Sequence, residues 1–298
     1  MRALITGATG LIGRGLATKL TDAVVVSRDP DRAARALGSV ETHRWEPETG
    51  PPPTEALREV DAVFNLAGEA VADGRWTVEK KRRIRDSRIV GTRNLVAGFE
   101  ALQRRPRVLV SASAVGYYGD RGDELLDEDA AQGEGFLADV CAAWEHEALA
   151  ARELGMRVVC VRVGVVLARN GGALAKMLTP FKTGAGGRLA SGRQWMPWIH
   201  HEDVIGILLH ASENEQMQGA VNAVSPRPVT NADFTRALGR ALHRPTLLPM
   251  PKAVLRIALG ELSEILLASQ RVLPRVAERN GYTFEHPRLQ AALEALVS

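Results

Sequence analysis

Short apolar runs alternate with segments of helical periodicity through the first half of the chain. The runs that predict strands are residues 3–5, 24–26, 62–66, 108–111 and 158–163. Runs that are apolar throughout are typical of parallel strands covered on both faces. The segments between them predict crossover helices at 11–20, 31–37, 78–101 and 135–154. Because right-handed crossovers place helices on both faces, the pattern predicts an α/β, Rossmann-type doubly wound parallel sheet.

The alternation breaks near residue 167. A stretch rich in glycine and cations follows, with a predicted helix at 173–181 and a loop at 182–194. Such loops commonly face a substrate. A helix at 204–212 and a strand at 220–224 then return to the sheet, and the chain from Asn231 onward is mainly helical.

Length and composition allow two domains. At 298 residues and 45% hydrophobic content, the chain is long enough for one large domain or two ordinary ones. We predict a larger domain formed by residues 1–166 and 204–225. The second, smaller, mainly helical domain then comprises residues 167–203 and 226–298, on the substrate side.

Charge and cysteine content exclude several classes of protein. Lys and Arg total 38 against 35 Asp and Glu, so the balance predicts no nucleic-acid partner. Cys141 and Cys160 have no metal-ligand spacing, so we expect reduced thiols and no metal. The sequence shows neither a signal-peptide pattern nor an apolar run near the ~20 residues that span a bilayer. We expect a soluble cytoplasmic protein with no membrane partner; a homodimer is a fold-level analogy only.

The strongest chemical motif is the glycine-rich turn after the first predicted strand. Gly7 permits a tight turn, Gly10 lets backbone approach a phosphate, and Gly13 lets the following helix pack closely. Backbone N–H groups at the helix start then face the pyrophosphate of a dinucleotide. The spacing is G-x-x-G-x-x-G rather than the standard G-x-G-x-x-G. The predicted cofactor-binding residues here are Gly7, Thr9, Gly10, Leu11, Ile12 and Gly13.

The end of the second predicted strand indicates which dinucleotide binds. Ser27 and Arg28 follow the run 24–26, and a cation at this place accommodates the 2′-phosphate of NADP. An acidic residue would instead grip the ribose hydroxyls of NAD, and Asp29 keeps that alternative open. In a third interpretation Arg28 pairs only with Asp29 or Asp31 at the surface. We favour NADP(H), with Ser27 and Arg28 as ligands.

Two further strand ends extend the predicted cofactor site. The strand at 62–66 ends in Leu66, Ala67 and Gly68, whose small side chains let backbone lie against a ribose, although a plain strand-to-turn junction has the same pattern. Val163 and Gly164 end the strand at 158–163, where backbone groups commonly hold the nicotinamide carboxamide.

Taken together, the motifs resemble the extended short-chain dehydrogenase/reductases. They are most similar to an epimerase-like NADP-binding subfamily, often labelled nucleoside-diphosphate-sugar epimerases or cell-division-inhibitor-like proteins. The resemblance covers nearly the whole chain and implies a Rossmann-type domain that binds NADP(H), with substrate held against a small helical carboxyl-terminal domain. Besides the glycine-rich turn it rests on Ser27-Arg28-Asp29-Pro30, Asn65-Leu66-Ala67-Gly68-Glu69, Trp76-Thr77, Lys80-Lys81, Ser87-Arg88, Ser111-Ala112-Ser113-Ala114-Val115-Gly116-Tyr117-Tyr118-Gly119 and Trp198-Ile199-His200-His201-Glu202-Asp203-Val204.

One departure from the wider family affects the chemistry. That family uses a serine after the fifth strand and a Tyr-x-x-x-Lys pair on the next helix, in which tyrosine exchanges a proton and lysine lowers its pKa. Ser113 fits the serine. The expected helix at 135–145 contains neither tyrosine nor lysine: one alignment pairs Phe136 with Val140, and the other pairs Leu137 with Cys141. The usual dyad is therefore missing.

Four side chains are candidates for catalysis. Ser113 would polarise a substrate oxygen, or else cap a turn at the strand end. Tyr117 and Tyr118 follow in a glycine-flanked loop from which a phenol would reach the site mouth, or where the rings would only pack. His200 has an imidazole suited to proton transfer near neutral pH, although such residues are often structural. Asp203 would cap the following helix.

Cations and polar groups in the loop at 182–194 are candidates for binding substrate. Lys182 and Arg193, with Gln194 and Trp198, suit an anionic group such as a phosphate or carboxylate, or are solvated loop residues. Glu69 would lie beside the nicotinamide end and orient substrate, or interact with a helix amino terminus.

These expectations converge on an NADP(H)-dependent oxidoreductase or epimerase-like enzyme acting on a small polar, anionic substrate without the usual dyad. The alternative is a regulatory or redox-sensing protein that binds NADP(H) without turnover.

Overall fold

A computed structural model describes residues 1–297 and confirms the predicted fold class. Seven strands form one parallel sheet in the order β11-β7-β5-β4-β1-β2-β3. The strands are β1 (Arg2–Thr6), β2 (Asp22–Ser27), β3 (Glu41–Arg44), β4 (Ala62–Asn65), β5 (Val108–Ala114), β6 (Leu125–Leu126), β7 (Arg157–Val163), β8 (Val165–Ala168), β9 (Trp195–Met196), β10 (Trp198–His200), β11 (Gly219–Ala223), β12 (Val229–Thr230) and β13 (Arg271–Val272).

Helices cover both faces of the sheet and make up most of the carboxyl-terminal part. They are α1 (Leu11–Lys19), α2 (Pro30–Leu37), α3 (Thr54–Leu57), α4 (Val78–Glu100), α5 (Phe136–Leu149), α6 (Gly172–Lys182), α7 (His201–Glu213), α8 (Asn231–Leu242), α9 (Lys252–Leu259), α10 (Ser263–Leu267), α11 (Arg275–Arg279) and α12 (Leu289–Val297). Within residues 1–297, no helix is both long and apolar enough to cross a membrane.

Buried side chains divide along the fold. One apolar cluster includes Ile5 and Phe64 and packs under α1 and α7, and a second includes Leu4 and Phe99 and packs under α4. A third cluster draws only on residues that we assigned to the smaller domain, including Trp198. The segment 276–284, assigned to the same domain, packs instead against the first cluster. The boundary between the domains therefore stays a prediction.

Candidate functional site

The glycine-rich turn joins β1 to α1 and has the backbone geometry that its sequence predicts. Gly7 has a φ of +69°, and a Cβ there would lie 2.7 Å from the carbonyl oxygen of Leu66. A Cβ at Gly13 would lie 2.4 Å from the oxygen of Gly7. Gly10 is the N-cap of α1, and no side chain caps this helix. The first N–H groups of α1 are thus left to a ligand, which is the arrangement that binds anions.

A buried hydrogen-bond network fixes the loop after β4 beside this turn. The Thr6 hydroxyl donates to Asn65 Oδ1 at 2.9 Å and accepts the N–H groups of Leu66 and Ala67, both at 3.0 Å. Asn65 in turn donates to Thr92 and Ser111. Because these polar side chains are buried and paired, the loop is held rigidly against the glycines.

A cleft of about 410 Å³ opens between the turn, the ends of β4 and β5, and the segment after β7. Six of the predicted cofactor residues line it: Gly7, Gly10, Leu11, Ile12, Gly13 and Leu66. Sequence reasoning missed its other lining residues, Ala112, Val165, Val166, Gly172 and Ala173. The Gly171-Gly172 pair was the available signal, because α6 begins there and brings Ala173 to the cleft.

Val163 and Gly164 do not line this cleft; the next two residues do. A Cβ at Gly164 would lie only 2.2 Å from the oxygen of Pro197, so this glycine permits close packing against the chain before β10. Thr9, Ser27, Ala67 and Gly68 are likewise not among the lining residues.

Arg28 follows β2 with an exposed side chain. Within residues 1–297 it forms no ion pair, and Asp29 is engaged elsewhere because it caps α2 by accepting the Arg32 N–H at 2.9 Å. The interpretation in which Arg28 only pairs with Asp29 or Asp31 is therefore wrong. The guanidinium is free for an anionic ligand.

Glu69 comes directly after the β4 loop and pairs with α4. Its carboxylate accepts Lys80 Nζ at 2.6 Å and lies 3.8 Å from Arg83 Nε. The hydrogen bond from Lys80 and the charges of Lys80, Arg83 and Arg28 lower the pKa of Glu69. Its carboxylate therefore stays ionised among cations, and its N–H donates to Ser87 Oγ at 3.0 Å.

Ser113 belongs to a buried charged network rather than to an open surface. Its hydroxyl donates to Glu145 Oε1 at 2.6 Å. Arg162 binds both oxygens of Glu145, at 2.8 and 2.9 Å. Because the Ser113 proton is given to the carboxylate, this buried hydroxyl can act toward any further partner only as an acceptor. This contradicts the expectation that it polarises an oxygen by donating to it.

The two tyrosines occupy different environments. Tyr118 is fully buried; its hydroxyl donates to Asn222 Oδ1 at 2.8 Å and accepts Arg162 Nη1 at 3.0 Å. Burial raises the pKa of Tyr118 to about 12. The expectation that this phenol reaches the site mouth is wrong, because packing seals it inside. Tyr117 is partly buried, with its ring 3.5 Å from the Arg162 guanidinium carbon, and within residues 1–297 its hydroxyl has no hydrogen bond.

His200, not Asp203, caps α7. Its Nδ1 accepts the Glu202 N–H at 3.3 Å, and its ring lies 3.7 Å from that of His286. Burial, and then the charges of His286 and His201, lower the pKa of His200 to about 3. An imidazole with so low a pKa is a weak base near pH 7, which argues against the predicted proton-transfer role. Asp203 instead binds the carboxyl-terminal segment through the N–H groups of Glu285 and His286, at 2.8 and 3.0 Å.

The predicted substrate loop divides into exposed and buried residues. Lys182 and Arg193 are exposed. Gln194 donates to the carbonyl oxygens of Leu189 and Leu266, at 3.2 and 3.4 Å. Trp198 is 1% exposed in the core of the third cluster, so its predicted contact with substrate is wrong. Aromatic packing explains its place without a ligand.

The positions of the missing dyad on α5 hold no replacement acid. Phe136 stacks edge-on against Trp76 with ring centroids 5.3 Å apart, and Lys81 Nζ lies 5.3 Å from the centroid of its ring. Cys141 is buried, and burial raises the pKa of its thiol to about 11. At neutral pH this thiol is protonated and a poor proton donor.

Comparison with known proteins agrees with this architecture. The NAD dependent epimerase/dehydratase family matches residues 3–223, and a domain of unknown function, DUF1731, matches residues 250–296. An epimerase family protein of Mycobacterium bovis is 44% identical over 292 residues, which cover 97% of this chain and 95% of that protein.

Two solved structures have the same fold along this chain's whole length. Human epimerase family protein SDR39U1, solved with NADPH, is 35% identical with a TM-score of 0.88, covering 100% of this chain and 99% of that one. A nucleoside-diphosphate sugar epimerase from Corynebacterium glutamicum is 32% identical with a TM-score of 0.80, covering 100% of this chain and 58% of that one. The sheet, the turn and these similarities lead to one assignment: the chain belongs to the NAD dependent epimerase/dehydratase family.

Proposed function

We propose that this chain binds NADP(H) and is an oxidoreductase or epimerase-like enzyme acting on a small polar, anionic substrate. The observation that carries the proposal is that the start of α1 at Gly10 has no side-chain cap while the exposed Arg28 forms no ion pair within residues 1–297. Dinucleotide phosphates need both kinds of group, backbone donors for the pyrophosphate and a cation for the 2′-phosphate. The human relative, solved with NADPH, supports the same cofactor.

NADP(H), when bound, donates or accepts a hydride. The N–H groups at the start of α1 would bind its pyrophosphate. The apolar side chains that line the cleft would exclude water from the bound cofactor. Ser113 would act toward a substrate hydroxyl only as a hydrogen-bond acceptor, and the partly exposed Tyr117 is the remaining predicted phenol with an available hydroxyl. Lys182 and Arg193 would attract the anionic group of the substrate from the open loop.

A specific observation also favours the non-enzymatic alternative, in which NADP(H) regulates the protein without turnover. Tyr118 and His200 are sealed and engaged, and Ser113 gives its proton to Glu145. Few proton donors are thus left near the cleft. Mixing the NADP(H)-loaded protein with a broad panel of carbonyl and alcohol compounds separates the two when products are analysed as well as the cofactor. Net consumption of cofactor supports an oxidoreductase, and new product without net consumption supports an epimerase-like enzyme, because epimerisation returns the hydride. Binding with neither change supports the sensor.

The predicted preference for NADPH over NADH is tested by reversing the charge of Arg28. Arg28→Glu should lower the affinity for NADPH about 100-fold in calorimetry and leave the affinity for NADH unchanged, because only NADPH carries the 2′-phosphate. Arg32→Glu, an exposed reversal on α2, is the matched control and should leave both affinities unchanged. Absence of NADPH binding by the wild-type protein, or an unchanged preference in Arg28→Glu, would refute the proposal.

A further inference from the structure

Arg88, on α4, is a partly buried cation outside any ion pair of residues 1–297. Its Nη1 donates to the backbone oxygens of Glu69 and Ile84, at 3.0 and 3.1 Å. Its guanidinium carbon lies 5.1 Å from the centroid of the Trp144 ring. Burial lowers the pKa of this guanidinium, as expected of a cation partly removed from water.

Two of its three nitrogens remain free. Nε and Nη2 of Arg88 have no acceptor among residues 1–297, yet neither is sealed from solvent in the way that Arg271 Nε is. Guanidinium N–H groups are directional donors, so a ligand oxygen can satisfy them. A partly buried cation that a ligand can reach, and that forms no ion pair within the described residues, is a candidate for a binding site.

The free groups lie between the β4 loop and α5. A Cβ at Gly68 would lie 3.0 Å from the Arg88 guanidinium carbon, so the missing side chain brings backbone and cation together. Burial raises the pKa of the Cys141 thiol, and the charge of Arg88 acts in the opposite direction, as expected of neighbours. Cys141 is also the position at which one alignment expects the dyad lysine.

We propose that Arg88 binds the nicotinamide-side ribose of NADP(H) through its free N–H groups. This rests on the proposed function above. The sheet order places β2, with Arg28, on one side of β1 and places β4 and β5 on the other. A dinucleotide whose 2′-phosphate binds Arg28 and whose pyrophosphate binds α1 therefore extends its second ribose toward the loop after β4. Arg88 on α4 contacts this loop at the backbone oxygen of Glu69. Ribose hydroxyl oxygens are acceptors of the kind that a guanidinium needs.

The test compares two ligands that differ in that ribose. NADPH contains it, and adenosine 2′,5′-bisphosphate contains only the phosphorylated adenosine half. In calorimetry Arg88→Met should lower the affinity for NADPH about 10- to 100-fold and leave the affinity for the bisphosphate unchanged. Arg28→Ala should weaken both ligands. Arg88→Lys, which keeps the charge, should recover part of the NADPH affinity, and Arg85→Met, exposed on the same helix, should behave as wild type.

The outcomes separate the two proposals. Equal weakening of both ligands by Arg88→Met and Arg88→Lys, with lowered thermal stability, would show that Arg88 only supports the fold. Unchanged NADPH affinity in Arg88→Met would overturn the inference and leave the proposed function intact. Wild-type protein that binds neither ligand would refute the proposed function itself, and with it the role of Arg88.

Discussion

The two ends of the candidate site differ in whether their polar groups are paired within the protein. At the phosphate end, the N–H groups of α1 have no side-chain cap, and the exposed Arg28 forms no ion pair within the described residues. At the end beyond β5, Ser113 and Tyr118 are joined through Glu145 and Arg162 into a closed network. Both ends carry residue types that suggest chemistry, but the first leaves its polar groups open whereas the second pairs most of them within the protein.

The contrast follows from the cost of burying polar groups. A buried donor without a partner costs about 1–3 kcal/mol, so a fold pairs its polar groups unless a ligand supplies the partner. The exposed Arg28 and the start of α1 are reached by water and avoid this cost, so they can stay open to a ligand, whereas the paired groups at the other end indicate structure. The comparison can be broken by showing that the closed network is dispensable for folding, or that the open end is dispensable for binding NADPH.

The largest expected effect is the loss of Arg162. Arg162→Met should destabilise the protein by about 3–5 kcal/mol in urea unfolding, because Glu145 is left buried and unpaired. The double variant Arg162→Met with Glu145→Leu should recover most of this loss, since it removes the orphaned charge. Arg236→Met, which breaks an exposed pair with Asp233, is the control and should change stability little.

If Arg162→Met unfolds at the wild-type urea midpoint, the network is not structural. Its members would then be free to act on a ligand, and the contrast between the two ends would fail.

A smaller effect is expected at the open end. Gly13→Ala should cost about 1–3 kcal/mol, because its Cβ would lie 2.4 Å from the oxygen of Gly7 and would push α1 from the turn. Affinity for NADPH should fall at least about tenfold, since the displaced N–H groups no longer converge on the pyrophosphate. Gly50→Ala is the matched control, because a Cβ there meets nothing within 4 Å. Full affinity in Gly13→Ala would locate the pyrophosphate elsewhere.

Sequence reasoning succeeded where the determining chemistry is local. The central strands are apolar throughout, and the glycine-rich turn is a backbone property of adjacent residues. Strand β3 was not among the apolar runs, because Glu41–Arg44 forms an edge strand and is only partly covered. Edge strands keep polar residues, so an apolar criterion misses them.

The catalytic predictions failed where contacts are distant along the chain. Ser113 and Glu145 are 32 residues apart, and Tyr118 and Asn222 are 104 apart. No local sequence pattern reveals that a serine hydroxyl already donates to a distant carboxylate, or that a tyrosine hydroxyl is buried. Trp198 misled for a similar reason: an aromatic residue near loop cations suggests a site, but its burial is decided by packing against α8 and α12.

The smallest expected effect is a pH dependence of stability that arises from His200. This residue type suggests catalysis, but its contacts indicate a helix cap, so it tests the contrast between groups open to a ligand and groups paired in the structure. Its pKa is lowered to about 3 in the folded protein from an ordinary 6.5, so the unfolded chain binds the proton more tightly. The stability that this neutral cap contributes is complete above pH 6.5 and is lost as pH falls from 6.5 toward 3.

Between pH 7 and 5.5 this contribution falls by about 1 kcal/mol, which urea unfolding in matched buffers should detect. His200→Asn keeps an acceptor at the cap but cannot titrate, so its stability should fall by about 1 kcal/mol less over the same interval. His243→Asn changes an exposed histidine at a φ of +52° that asparagine tolerates, and should keep the wild-type slope. Equal slopes in wild type and His200→Asn would mean that His200 titrates normally when folded, which would return it to the proton carriers of the site.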